Sequence, residues 1–178
     1  MRQGHFQKLR VTHRVPRSPS IVGLRITHYD MVMAAISRDP KYIAQDILSR
    51  RDNSEWELRQ KLAKKGIPGQ EIEATITWLK QKKYLDDEVF AQKYIESILR
   101  TKAVGKRYLA HKLKAKRIAS EVIDTTLQEL VGEEVEKELA QKAAKSWQKS
   151  HPKYAQDKMR LSRFLASRGF TIFPDLTE

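Results

Sequence analysis

The chain repeats its own apolar pattern after 51 residues. The first copy has its apolar positions at Ile47, Leu48, Leu58, Leu62, Ile67, Ile72, Ile76 and Leu79. The second copy has them, at that one offset, at Ile98, Leu99, Leu109, Leu113, Ile118, Ile123, Leu127 and Leu130. A third, looser copy keeps the same +4 and +5 steps in Leu161, Leu165 and Phe170. Self-similarity at a fixed period indicates a tandem array of one supersecondary unit.

Within one copy, the spacing of apolar residues predicts three short helices. The first helix begins near Lys41, and Ser54 and Glu57 then form the S-x-x-E capping box that starts a second. Gly66 suits the left-handed residue that ends this helix. A third helix follows, and Asp86 is placed to cap the first helix of the next copy.

The second copy predicts a helix over about 86–100, a break at Val104-Gly105, and a third helix capped by Ser120. The third copy begins near Val131, and Pro174 shortens it. Because a unit of roughly 50 residues buries too little surface to be stable alone, stacking into one elongated solenoid is expected. The prediction is an all-α fold of three tandem three-helix repeats with a basic N-terminal arm, divided at 1–35, 36–84, 85–131 and 132–178.

The first 35 residues differ from the rest. They contain two prolines, Pro16 and Pro19, and no acidic residue before Asp30. We expect an irregular basic arm, with a short strand possible over 21–26. A transit peptide, or residues upstream of a start at Met31 or Met33, are the alternatives.

Several function classes lack their signatures. The chain has no cysteine, which excludes disulfides and thiolate metal sites and fits a reducing compartment. No apolar run reaches the ~20 residues of a membrane helix, and the phosphate-loop, dinucleotide and zinc-protease motifs are missing. At Asp86-Asp87-Glu88, a helix start is favoured over a metal cluster. We therefore expect a protein that is not an enzyme and uses no metal or cofactor.

Positive charge is concentrated in the middle copy. The formal net charge is +13, and no acidic residue lies between Arg100 and Arg117. A surplus of this kind favours nucleic acid or an acidic protein as partner, the alternative being a basic surface that only confers solubility. Tyr108 could stack on a base or pack against the core. The predicted binding residues are Arg100, Lys102, Lys106, Arg107, Lys112, Lys114, Lys116 and Arg117.

Four segments resemble one known family. Residues 54–67 read S-x-W-E-L-R-x-K-L-x-x-K-G-I, similar to the hallmark of the RecX family, and 84–91 read Y-L-D-D-x-x-F-A, similar to its repeat junction. Residues 105–118 resemble its second repeat, and 163–170 match the R-F-L-x-x-R-G-F of its third. The resemblance covers roughly 40–173. Each segment is weak evidence alone, but together they are specific.

The resemblance implies a small cytoplasmic bacterial regulator of three three-helix repeats. It implies binding along the groove of the RecA recombinase filament, restraint of recombination, ATP hydrolysis and coprotease functions, and binding of single- and double-stranded DNA. This chain departs from the family pattern at Lys106, Lys112 and Arg117, where proline, an acid and glycine are usual. The missing glycine at Arg117 predicts a different C-cap for that helix.

Two hypotheses stay open at this stage. The first is a modulator of the RecA filament without catalysis. The second is a stand-alone DNA-binding helical repeat, because three-helix units with short turns also resemble helix-turn-helix modules. Such readers usually dimerise over half-sites, and no heptad dimerisation helix is evident, so we expect a monomer.

Overall fold

The computed structural model describes residues 39–172, and over that range it contains eight α-helices and no strand. A short 3-10 turn, Pro152–Tyr154, lies between the last two helices. The helices are α1 Pro40–Arg50, α2 Glu55–Lys64, α3 Gly69–Gln81, α4 Asp87–Thr101, α5 Lys106–Ala115, α6 Ser120–Leu130, α7 Glu133–Ser150 and α8 Lys158–Ser167. The predicted all-α class is confirmed. The predicted N-terminal arm, the strand option at 21–26 and the effect of Pro174 lie outside the described residues.

The helices form three units, each around its own buried cluster. Unit 1 comprises α1–α3, unit 2 comprises α4–α6, and unit 3 contains α7 and α8. Helices pack mainly against others of the same unit, for example α4 and α5 against α6. The repeated leucines at the centre of the second helices are fully buried, as predicted: Leu58, Leu62, Leu109, Leu113 and, at 1–2% exposure, Leu161 and Leu165.

Two predicted N-caps are confirmed. The Ser54 hydroxyl accepts a hydrogen bond from the Glu57 N–H at 3.2 Å, and the Glu57 carboxylate accepts one from the Ser54 N–H at 3.4 Å. The Asp86 carboxylate accepts from the N–H groups of Glu88 and Val89 at 2.9 and 3.2 Å. These side chains satisfy donors that have no partner within the helix, which fixes where α2 and α4 begin.

The prediction that Ser120 caps α6 is wrong. Ala119 occupies the cap position with extended backbone, Ser120 is already helical, and no side chain caps this helix. Pro68, 51 residues earlier, occupies the same position before α3 and also provides no side-chain cap. The repeat therefore reproduces an uncapped start in both units.

The prediction of a different C-cap at Arg117 is also wrong. Arg117 adopts the left-handed φ of 59°, close to the values of Gly66 (79°) and Gly169 (80°). The Ile118 N–H donates to the Leu113 carbonyl at 3.3 Å, the bond that closes the same Schellman cap. The chain thus keeps the glycine geometry with an arginine in it, at a strain of roughly 1–2 kcal/mol.

The second helices of the three units meet end to end. The Ser54 hydroxyl at the start of α2 donates to the Lys116 carbonyl at the end of α5, at 2.9 Å. The Gly105 N–H at the start of α5 donates to the Arg168 carbonyl at the end of α8, at 3.0 Å. Each junction joins a helix N-terminus to a helix C-terminus, which have opposite partial charges. This recurring junction holds α5 between the other two units.

Candidate nucleic-acid interface

Helix α5 presents the centre of the predicted basic cluster. Leu109 and Leu113 are buried one turn apart in the core of unit 2. Because a helix repeats every 3.6 residues, this burial turns Arg107, His111 and Lys114 to the opposite face, where all three are exposed. The alternation of apolar and basic residues in α5 therefore produces one outward basic face.

Six of the eight predicted cations form no ion pair with a carboxylate of residues 39–172. Within residues 39–172, Lys106 and Lys116 are the two members of the set that come within 4.0 Å of a carboxylate. Lys112 is half-buried, with its Nζ 5.2 Å from the centre of the Tyr108 ring. The remaining five are exposed to solvent, namely Arg100, Lys102, Arg107, Lys114 and Arg117.

Lys116 joins units 1 and 2. Its Nζ lies 2.6 Å from Oε1 of Glu57, and the side chains are 24% and 12% exposed. Burial alone would raise the pKa of Glu57, but the hydrogen bond and charge of Lys116 outweigh it, so the pKa of this carboxyl lies below its usual value. The Lys116 ammonium, held by Glu57, is less available to a phosphate than the exposed cations. Its ion pair between units 1 and 2 accounts for its position.

Lys106 lies at the junction of units 2 and 3, beside a buried carboxylate. Glu136 is completely buried and accepts hydrogen bonds from the Lys106 N–H at 3.3 Å and from the N–H and hydroxyl of Thr171 at 3.0 and 2.9 Å. The Lys106 Nζ lies 4.0 Å from Glu136 Oε2. Buried charge is stable only when it is paired and hydrogen-bonded, so Glu136 and Lys106 serve the junction.

The junction adds one cation that the sequence prediction did not include. Arg168, at the end of α8, is exposed, and its guanidinium lies 5.0 Å from the Phe164 ring. The Arg168 carbonyl accepts a hydrogen bond from the Gly105 N–H at 3.0 Å. The Gly169 carbonyl accepts one from the Arg107 N–H, also at 3.0 Å. The R-G-F segment resembles a family motif, but nothing in the sequence spacing indicates that it lies at the start of α5.

The acidic run at the start of α4 serves helix capping and the junction. Asp86 caps α4, and Asp87 Oδ1 accepts the Glu55 N–H from unit 1 at 2.8 Å. Burial raises the pKa of the Asp87 carboxyl. In residues 39–172, no group of three His, Asp or Glu side chains is arranged to hold a metal ion. None of the helices in that range is long and apolar enough to cross a membrane.

Comparison with known proteins agrees with this architecture. Residues 41–79 match the family model described as "RecX, first three-helix domain", and residues 86–127 match "RecX, second three-helix domain". The regulatory protein RecX of Vibrio campbellii is 36% identical over 132 residues, which covers 74% of this chain and 83% of that protein. The chain belongs to the RecX family. The regulatory protein RecX of Chlorobium limicola is 33% identical over 127 residues, 71% of this chain and 79% of that one.

Solved structures of RecX proteins share the fold. RecX from Lactobacillus salivarius superposes with a TM-score of 0.64 at 22% identity, covering 78% of this chain and 90% of that one. A second crystal structure, of a regulatory protein RecX, gives a TM-score of 0.58 at 22% identity over 84% of this chain and 75% of that one. Because the relatives are named regulatory proteins, membership of the RecX family implies a regulatory role.

Proposed function

We propose that this RecX-family chain binds the RecA recombinase filament on DNA and restrains its recombinase, ATPase and coprotease activities. The mechanism is binding and blocking, without catalysis. The family assignment and the motif resemblance support RecA as the partner. The same resemblance supports a cytoplasmic location, and the chain is expected to act as a monomer.

The observation that carries this proposal is the outward face of α5, because residues 106–115 include basic and no acidic side chains. Arg107 and Lys114 are exposed seven residues apart on its outward face. Arg100, in the last turn of α4, and Lys102, which follows that helix, are also exposed. A solvated helix face is usually mixed in sign, and like charges at short helical spacing destabilise the helix by a few tenths of a kcal/mol per pair. A surface of this kind is suited to phosphates, which DNA presents along the filament.

The available cations set the expected salt dependence. With Lys106 and Lys116 in ion pairs at the junctions, six members of the predicted set remain as candidates for phosphate contact. If all six make such contacts, the slope of log K against log salt concentration is about −4 for a single strand and about −5 for a duplex. A slope near zero would mean that phosphate contact does not drive binding.

The direct test is RecA's DNA-dependent ATPase. Substoichiometric amounts of this protein should slow ATP hydrolysis by RecA on single-stranded DNA, because one bound regulator affects a stretch of filament. An unchanged rate over a wide range of concentrations would contradict the proposed function. Binding to naked duplex DNA with an unchanged RecA rate would instead favour the alternative, a stand-alone DNA-binding repeat.

A further inference from the structure

A groove of about 340 Å³ lies between α4 and α5 on the basic side of unit 2. Two tyrosines, Tyr94 and Tyr108, line it together with Lys102 and Lys112. The hydroxyl-bearing residues Ser97 and Thr101 complete its polar lining. The two tyrosines pack against the core of unit 2, but that packing does not explain the two lysines beside them, so the equivalent place in unit 1 is informative.

The internal repeat gives that comparison at an offset of 51 residues. In unit 1, Arg51 and Lys61 stand where unit 2 has Lys102 and Lys112, and Glu57 stands where unit 2 has Tyr108. The Glu57 carboxylate lies 3.6 Å from Arg51 and 2.6 Å from Lys116. The Lys61 ammonium donates to the Asn53 side chain at 2.5 Å. The cations of unit 1 are therefore satisfied within the protein.

Unit 2 keeps the cations and replaces the acid. Neither Lys102 nor Lys112 comes within ion-pair distance of a carboxylate in the described range, and Lys112 instead lies over the Tyr108 ring. Tyr94 stacks on Phe90 with ring centres 5.6 Å apart, and its ring lines the same groove. Both tyrosines are half-buried, so each ring is held by packing and is still partly accessible. The groove therefore combines fixed aromatic surface with uncompensated positive charge.

We propose that this groove binds one nucleotide of a single-stranded nucleic acid. The base lies against the Tyr108 ring, beside Tyr94, and the phosphate lies near Lys102 and Lys112. Aromatic side chains accept any unstacked base, whereas a base inside a duplex is already stacked and paired and cannot enter. The groove thus gives the chain a preference for single strands over duplex. The inference rests on the proposed function in assigning the basic face of unit 2 to nucleic acid.

The test compares Tyr108→Leu with Tyr108→Phe. Binding to a fluorescent oligothymidylate and to a duplex of equal length is measured by anisotropy at one salt concentration. Tyr108→Leu removes the ring without changing charge and should weaken single-strand binding about 5-fold or more, the effect of one lost base stack. Its duplex affinity should change less than twofold, and Tyr108→Phe should bind both nucleic acids like the natural protein.

A photocrosslinking experiment on the unaltered protein makes the test independent of folding. An oligonucleotide carrying 5-iododeoxyuridine should crosslink to the peptide containing Tyr94 or Tyr108, identified by mass spectrometry. Crosslinks confined to other peptides would overturn the proposal, as would equal losses for single strand and duplex in Tyr108→Leu. If Tyr108→Leu binds the single strand normally while the protein still slows RecA's ATPase, the groove proposal is contradicted and the proposed function is not. If Tyr108→Leu weakens single-strand binding but the protein does not slow RecA's ATPase, the groove proposal is supported and the proposed function is contradicted.

Discussion

Gly105→Ala should undo the junction between units 2 and 3. A Cβ at this position would lie 2.3 Å from the Gly169 carbonyl oxygen and 2.4 Å from the Phe170 Cα. Both neighbours are backbone atoms, so the two helix ends must separate. Separation breaks the bonds from the Gly105 and Arg107 N–H groups, at about 0.5–1.5 kcal/mol each.

The same movement disturbs Glu136, which is completely buried and bonded to the Lys106 N–H at the start of α5. Losing a donor from a buried carboxylate adds about 1–3 kcal/mol. The sum is roughly 2–6 kcal/mol in the free energy of unfolding. For a chain of this size each kcal/mol lowers the melting midpoint by about 2–4 °C. Gly105→Ala is therefore expected to melt about 4–24 °C lower.

Thermal unfolding followed by circular dichroism measures this shift. The matched control is Gly69→Ala, because no atom lies within 4 Å of the added Cβ at the start of α3. Its midpoint should stay the same or rise slightly, since alanine restricts the unfolded chain. If Gly105→Ala had the same melting midpoint as Gly69→Ala, the described contact between the start of α5 and the end of α8 would be contradicted.

Three further predictions concern unit 2 and its junction with unit 1. Arg117→Gly should stabilise the fold by up to about 1 kcal/mol in urea unfolding, because it removes left-handed strain; a loss of stability would show that the arginine side chain contributes more than the strain costs. Glu57→Gln should lose stability at neutral pH. The lowered pKa of Glu57 means that its contribution is present above its ordinary value of 4.5 and is lost as the pH falls through the lowered pKa, so the stabilities of the two proteins should converge below it. A constant difference at all pH values would contradict the Lys116 pairing. Leu113→Ala should cost about 2–5 kcal/mol as a buried large-to-small change, and a negligible shift would mean that α5 faces another way.

The elements of this fold could be predicted because their causes are local. The capping box of Ser54 and Glu57, the left-handed Gly66 and the Asp86 cap involve residues within a few positions of one another, and all three are confirmed. The burial of Leu58 and Leu113 follows from helical spacing in the same way.

The error at Arg117 comes from a local competition, because the Schellman bonds outweigh the preference for glycine at that position. The omissions arise where the cause is distant. Lys116 forms an ion pair with Glu57, which lies 59 positions away in the sequence. Nothing in the sequence around Lys116 indicates this pairing. Glu136 reads as one of several acids at the start of α7, and its burial follows from the way unit 3 meets α5.

The central claim is that the outward face of α5 contacts the RecA filament on DNA. The most direct measurement is the affinity for that filament of the double variant Arg107→Glu, Lys114→Glu. Its matched control is Lys142→Glu, Lys149→Glu, which makes the same charge change at exposed positions, also seven residues apart, on α7. We predict that the α5 variant binds at least tenfold more weakly than the control while both keep their helical content. Equal affinities for the two variants would contradict the account.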